Sequence, residues 1–428
     1  MDTIFALATA QGKAGVAVIR VSGPSAHDIG VRLTGKPIPD RGMVFSKLQN
    51  QAGDILDEAL VLSFTGPNSF TGEDVIELQL HGSTAVVSAV MSTLSDFPDV
   101  RLAEPGEFTR RALENGKLDL TQVEGLADLI DAETEAQRKQ AQAALAGGLG
   151  KLAERWRTDL IRAASLIEVT IDFADEDVPV DVTPEVCALL SAVHADIQRE
   201  IEGVPIAERI RDGFEVAIIG APNAGKSTLL NALAGRQAAI TSEYAGTTRD
   251  IIEVRMEMAG LPVTLLDTAG LRETEDHVEK IGISLARSRA ETADIRVFLV
   301  EAEEDLEVAF QAGDIRFLPK ADLRGASDGA ISGVTGQGVD SLIDHVAATL
   351  KNRATRAGVA SRARHSEALN RAANGLTTAI SMVQRGPEFY DLAAEDMRSA
   401  IRALETLVGR INVETLLDEI FSSFCLGK

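Results

Sequence analysis

Cysteine is nearly absent from this 428-residue sequence: Cys187 and Cys425 are the only two, too few for a disulfide framework. That removes the disulfide-stapled secreted classes. Positive charge is also scarce, with 42 Lys+Arg against 65 Asp+Glu and a net charge of −23. A chain this acidic does not bind polynucleotide by general attraction to phosphate, so any nucleic-acid contact must come from a local patch or a partner. No apolar run approaches the ~18 residues of a membrane span. Asp2 stands where a secretory leader carries Lys or Arg. The expectation is a cytoplasmic protein without membrane association. At 45% hydrophobic and 25% charged residues the composition is that of a folded globular chain, neither disordered nor collagen-like. The length fits about two to four domains. No internal repeat is visible.

Up to about residue 100, short β-like runs alternate with turn signals. Residues 14–22 and 59–64 read as strands closed by Gly23-Pro24 and Gly66-Pro67, 75–80 as a half-buried strand, and 85–94 as an amphipathic helix. The spacing predicts a compact α+β domain. Residues 107–146 contain no proline and repeat apolar positions (Leu118, Val123, Leu126, Ile130) at helical spacing. The same style continues over 151–171, breaks around Pro179 to Pro184, and resumes as a helix over 184–201. The pattern then alternates βα from Phe214 to about Leu350 and turns helical again over 364–424. The economical organisation is a helical domain interrupted by an α/β insert at 211–352. A basic stretch stands out on the acidic chain: Lys351, Arg353, Arg356, Arg362 and Arg364, with no acid between them. Two readings fit it, a solvated linker with a helix start, or a local contact for RNA or an acidic partner.

The strongest chemical signal follows the β-branched run at 214–219. Gly220-Ala-Pro-Asn-Ala-Gly225-Lys226-Ser227 is G-x-x-x-x-G-K-S between a predicted strand and the helix that Thr228 opens. Glycines allow the backbone to wrap a phosphate, so that the N–H groups around Asn223, Ala224 and Gly225 and the helix N-terminus face the anion. Lys226 reaches the β- and γ-phosphates, and Ser227 is placed to ligate Mg²⁺. A second apolar strand ends in Asp267-Thr268-Ala269-Gly270, where Asp267 can hold Mg²⁺ through water and Gly270 can sense the γ-phosphate. Between the two lies Ser242-Glu243-Tyr244-Ala245-Gly246-Thr247-Thr248, where Thr248 can complete the Mg²⁺ shell. These segments in this order describe a GTPase switch rather than a generic ATPase.

Guanine is usually read by Asn-Lys-x-Asp after an apolar strand. Here the candidate is Pro319-Lys320-Ala-Asp322: Asp322 can accept from guanine N1 and N2, and the Lys320 stem can cover the ring, while Pro319 has no amide for N7. Ser332-Gly333 stands where a second base-contacting loop belongs, with Gly333 in place of the usual Ala. Guanine is favoured, with weakened affinity expected. Leu271 follows Gly270 where a Gln would orient the attacking water, so another polariser is needed. Asn223, with loop carbonyls at Ser242, Tyr244 and Thr247, can coordinate a monovalent cation beside the phosphates; it can equally cap a turn.

With these motifs in place, the chain resembles the bacterial tRNA-modification GTPase MnmE (TrmE) family along nearly its whole length. The resemblance is carried by Asp2-Thr-Ile-x-Ala, Gly12 to Arg20-Val-Ser-Gly, Ser69-Phe-Thr-Gly-Glu-Asp-Val-Ile-Glu77 with His81-Gly82, and Pro105-Gly-Glu-Phe-Thr-Arg-Arg-Ala. Asn115-Gly-Lys117-Leu-Asp-Leu, the GTPase motifs and the ending Phe424-Cys425-Leu-Gly-Lys428 complete it. Ser83 and Leu426 depart from the family's Gly and Ile. The resemblance implies a multidomain α/β protein: an N-terminal α+β domain over 1–117 that binds folate and dimerises the chain, a helical domain over 118–210 and 353–428, and an inserted Ras-like P-loop G domain over 211–352.

It also implies a K⁺-activated GTPase acting as a homodimer. With the FAD-containing flavoprotein MnmG (GidA), in a heterotetramer, it would modify C5 of the wobble uridine of certain tRNAs, installing a carboxymethylaminomethyl or aminomethyl group. The implied ligands are GTP, Mg²⁺, K⁺ and a tetrahydrofolate derivative (5-formyl- or 5,10-methylene-tetrahydrofolate). Arg20, Glu77, Lys117 and Lys428 match its folate-site positions, Glu279 its water-orienting acid, and Cys425 a terminal thiol that is either reactive near the folate or a small buried hydrophobe. Two other functions compete, an RNA-binding regulatory switch without chemistry and a folate enzyme whose G domain no longer hydrolyses. Titration of GTP and ATP by calorimetry is expected to show guanine preferred; dissociation constants within about threefold of each other would defeat that preference.

Overall fold

The computed structural model describes residues 2–172, 181–236, 253–267, 288–301, 308–324, 329–410, 420, 421, 424 and 427. They form two units, Met1–Ala127 with Glu405–Lys428, and Asp128–Leu404.

The first unit is built on a six-stranded sheet of order β3-β4-β5-β2-β1-β6. Its strands are β1 (Thr3–Leu7), β2 (Val16–Ser22), β3 (Arg41–Gln49), β4 (Ile55–Phe64), β5 (Val75–His81) and β6 (Val100–Leu102). All pairs are antiparallel except β1 with β6. Alternation explains the layering. Phe5, Ile19, Val21, Ile76 and Leu78 join Ile29, Leu33, Val90 and Leu94 of the helices Ala26–Thr34 and Thr84–Ser95 in one core. Ile4 and Ala6, pointing the other way from β1, meet Phe108 of the helix Glu107–Glu114 in a second, smaller one. The segment predicted as helix over 107–146 is three helices. The first ends before Gly116, whose φ of +65° is a left-handed stop that glycine tolerates. The others are Leu120–Asp131 and, in the second unit, Glu135–Leu145. The C-terminal residues belong to this unit: the Leu120 amide donates to the Val408 carbonyl at 3.3 Å, and Phe421 and Phe424 pack with Val123.

The second unit joins long helices to a second six-stranded sheet of order β12-β11-β10-β7-β9-β8. The strands are β7 (Phe214–Gly220), β8 (Glu253–Met258), β9 (Leu261–Asp267), β10 (Ile295–Leu299), β11 (Ile315–Pro319) and β12 (Ala330–Ile331). Only the β8–β9 pair is antiparallel. β7 and β10 read as near-continuous apolar runs because parallel strands are covered on both faces. The helix expected to end near Ile201 runs on through Pro205 to Asp212, since Val204, Ala207 and Ile210 keep its apolar face buried. That helix delivers the chain into β7. Asp294 fastens the junction: its Oδ2 accepts from the Glu215 amide at 2.8 Å and sits 3.1 Å from Arg209 Nε, and burial pushes its carboxyl above the usual range.

At the start of the helix Glu107–Glu114, the Glu107 carboxylate accepts from Arg101 Nη1 and Nη2 at 2.8 and 2.6 Å, Arg111 Nη2 at 3.0 Å and the Glu104 amide at 2.9 Å. Burial alone would raise its pKa, but these donors outweigh it and hold the carboxyl below its ordinary value of 4.5. A depressed folded-state pKa contributes stability above the unfolded value and loses it as pH falls. Glu107→Gln is therefore expected to cost about 1–3 kcal/mol in urea unfolding at neutral pH. The difference from wild type should shrink as pH drops through and below 4.5.

Candidate nucleotide site

Parallel strands bring their carboxyl ends to one edge of the second sheet, where a crevice forms. Gly220, at the end of β7, pairs with Leu299 of β10, and Ile218 pairs with Asp267 at the end of β9. A Cβ at Gly220 would lie 2.6 Å from the Leu299 carbonyl oxygen, so glycine is what lets the two backbones meet there. The chain then turns through Asn223 (φ +63°) and Gly225 (φ +95°) into the helix Lys226–Arg236. Left-handed residues in such a turn gather N–H groups into an anion-binding concavity at the helix start. Lys226 is 6% exposed, and its ammonium donates to the carbonyls of Gly220 at 2.6 Å and Ala221 at 3.0 Å. The loop thus closes around its own lysine.

Beside this loop is a cavity of about 210 Å³. Asn223, Ala224, Gly225 and Thr228 line it from the phosphate-loop side. Lys320, Asp322, Ser332 and Gly333 line it from the other. β11 delivers Pro319 and Lys320, the latter at φ +60°, into a short helical turn Ala321–Arg324 that carries Asp322. The Ser332 hydroxyl donates to Asp322 Oδ1 at 2.6 Å and accepts from the amides of Val334 and Thr335 at 3.2 and 3.3 Å. The carboxylate that would read a base is thereby oriented by the second loop. The serine was legible as a base-loop residue; its bond to Asp322 was not, because the nine intervening residues hide the contact.

Residues 120–425 match the family model described as the MnmE helical domain, and 3–117 match the GTP-binding protein TrmE N-terminus. The chain is 74% identical to the tRNA modification GTPase MnmE of Ruegeria sp. (strain TM1040) and 64% identical to that of Ruegeria pomeroyi, each over the full length of both chains. It belongs to the MnmE family. Among solved structures, Aquifex aeolicus Era bound to GDP and AlF4⁻ covers 32% of this chain and 56% of its own at 26% identity, with a TM-score of 0.25.

Of the positions matched to the MnmE family pattern, Ser227 opens the phosphate-loop helix next to Lys226, and Asp267 ends β9. Ser242, Glu243, Tyr244, Ala245, Gly246, Thr247, Thr248, Thr268, Ala269, Gly270, Glu279, Cys425 and Lys428 lie outside the described residues. In the first unit, Arg20 and Glu77 stand opposite one another on β2 and β5, and Arg20 Nε donates to Glu77 Oε1 at 2.9 Å. The guanidinium also lies 5.2 Å from the Phe70 ring centroid and 5.6 Å from that of Phe108. Lys117 runs its stem along Gly72, where a Cβ would lie 3.2 Å from its Cε. Gly427 packs against the end of β1 so closely that a Cβ would meet the Leu7 carbonyl oxygen at 2.2 Å. The residue before Lys428 therefore lies one step along β1 from Ala6, the register partner of Arg20.

Members of the basic stretch make bonds within the second unit. Arg353 Nη1 donates to the Asp294 carbonyl at 2.7 Å, and Arg362 Nη2 to Asp128 Oδ1 at 2.5 Å. Lys226→Ala is expected to lower guanine-nucleotide affinity at least about a hundredfold, because it removes the ammonium that faces the anion-binding turn. A melt within about 2 °C of wild type should accompany it, since the ammonium's bonds to Gly220 and Ala221 are to backbone carbonyls at the rim of the loop.

Proposed function

We propose that this protein hydrolyses GTP in the service of tRNA modification, as a K⁺-activated homodimer in the cytoplasm. Its product would be the carboxymethylaminomethyl or aminomethyl group at C5 of the wobble uridine, made with the flavoprotein MnmG in a heterotetramer. The observation that carries the reading is the strand–loop–helix turn that holds the buried Lys226, whose residues Asn223, Ala224 and Gly225 face the Asp322–Ser332 pair across one cavity. Full-length identity with MnmE relatives supplies the tRNA part. Among the described residues no helix is long and apolar enough to cross a membrane.

In this reading Lys226 exchanges its carbonyl partners for the β- and γ-phosphates, and Asp322 accepts from guanine N1–H and the 2-amino group. Ser227 and Thr248 are hydroxyl donors of the kind Mg²⁺ takes, with Asp267 acting through water; Asn223 and the carbonyls of Ser242, Tyr244 and Thr247 are oxygen donors of the kind K⁺ takes. Bound there, the two ions supply positive charge against the charge that develops on the transferred phosphoryl group. Glu279 orients the attacking water and accepts its proton, the role that Leu271 cannot fill.

The folate derivative is assigned to the first unit. Arg20 and Lys117 bring cationic groups, and the Glu77 carboxylate, with lone-pair capacity beyond its bond to Arg20, accepts ring N–H groups. Lys428 follows Gly427, which packs at β1. In the family reading Cys425 is a reactive thiol near the folate.

Steady-state GTP hydrolysis by the full-length chain in KCl and in NaCl tests the G-domain half. Turnover should rise in K⁺ only, and Asn223→Ala should abolish that difference. Glu279→Ala should keep nucleotide binding and lower turnover by about two orders of magnitude or more. Equal rates in the two salts, or an unimpaired Glu279→Ala, would remove the corresponding residue from the scheme.

A further inference from the structure

Two residues lining the base cavity are unusual in complementary ways. Pro319 closes β11 and lines the cavity with an aliphatic ring and no N–H. It can donate neither to a purine edge nor across to the phosphate loop. Gly333 in turn sits against the start of the helix Lys226–Arg236. A Cβ at 333 would lie 2.7 Å from the Leu229 amide nitrogen and 2.7 Å from both the carbonyl carbon and oxygen of Thr228. Backbone does not tolerate a Cβ at that range, so the 332–338 loop reaches the helix only because residue 333 has no side chain.

The loop itself is stiff. The Ser332 amide donates to the Gln337 carbonyl and the Gly336 amide to the Ser332 carbonyl, both at 2.9 Å, and Ser332 holds Asp322 through its hydroxyl. Seating the loop on the helix therefore fixes the Asp322 carboxylate relative to the backbone of 225–229.

We propose that Gly333 is the positioning residue of this pocket, docking the base loop directly onto the phosphate-loop helix and so replacing the side-chain tether that Pro319 cannot make. The inference rests on the guanine-nucleotide reading above. It has a corollary: position 319 contributes nothing at purine N7, and recognition falls on the edge that Asp322 reads.

Titration of the full-length chain with GDP, 7-deaza-GDP and ADP, on wild type, Gly333→Ala, Pro319→Asn and the double variant, tests it. Wild type should bind GDP and 7-deaza-GDP within about threefold of each other, since no N7 bond is lost. Gly333→Ala should weaken both guanine ligands about tenfold and speed hydrogen exchange at the amides of 225–229. Pro319→Asn should tighten GDP and leave 7-deaza-GDP unchanged. In the Pro319→Asn background the alanine at 333 should cost less than about threefold, because the new tether takes over. Gly333→Ala with wild-type affinity and exchange overturns the proposal, as does an alanine penalty equal in both backgrounds. A tenfold wild-type preference for GDP over 7-deaza-GDP overturns the corollary. Wild type binding ADP as well as GDP would instead sink the guanine reading itself, and is seen before any variant is made. If Pro319→Asn fails to fold, affinity and exchange in Gly333→Ala alone decide.

Discussion

A buried ammonium group organises the nucleotide-facing half of this protein. A lysine that is 6% exposed must find oxygen partners, and Lys226 finds them in the carbonyls of Gly220 and Ala221, at the mouth of the loop it closes. That requirement reaches backward into the sheet. Gly220 has to lie against Leu299, so β7 must be central and flanked by a parallel neighbour, and its apolar residues must be covered on both faces. It reaches forward as well, because Lys226 is also the first residue of the helix on which the base loop rests. Strand, loop and helix thus meet at one ammonium group.

The first unit solves a different charge problem. Its sheet places Arg20 and Glu77 directly opposite each other, so a cation and an anion of limited exposure neutralise one another across two strands, with Phe70 and Phe108 facing the guanidinium. Arg111, held by Asp2, Glu73 and Glu107, repeats the device where the helix Glu107–Glu114 meets the chain start. Charges pinned in this way present fixed donors and acceptors rather than freely swinging ones. A ligand with both an anionic tail and a polar ring edge would meet preset geometry.

Much of this was legible in the residues. The phosphate loop declares itself because glycine, lysine and serine at that spacing have few other uses between a β-branched run and a helix. β2 and β5 showed in their alternation and in the Gly-Pro turn that follows β2. β3 did not, since it is an edge strand with Met43 and Phe45 exposed and only Ser46 and Leu48 buried, so its hydropathy carries no two-residue period. The helix expected over 184–201 continues through Pro205 to Asp212: Gly203 lets the backbone at Gly358 approach, where a Cβ would lie 2.5 Å from its nitrogen, a packing that no local pattern announces. The Asp322–Ser332 bond and the seat of Gly333 were invisible for a general reason. Both depend on distances between segments far apart in sequence, and neither residue type advertises its partner.

Gly427 lies so tightly against Leu7 and Ala8 that the first unit has a seam between its first strand and a segment hundreds of residues later. During synthesis, the opening sheet leaves the ribosome hundreds of residues before the piece that packs on it exists. Its strands can pair early, but this wall of the unit stays open until translation has passed Gly427. Loss of the segment around Gly427 would therefore injure the sheet that begins with Thr3–Leu7, made long before it.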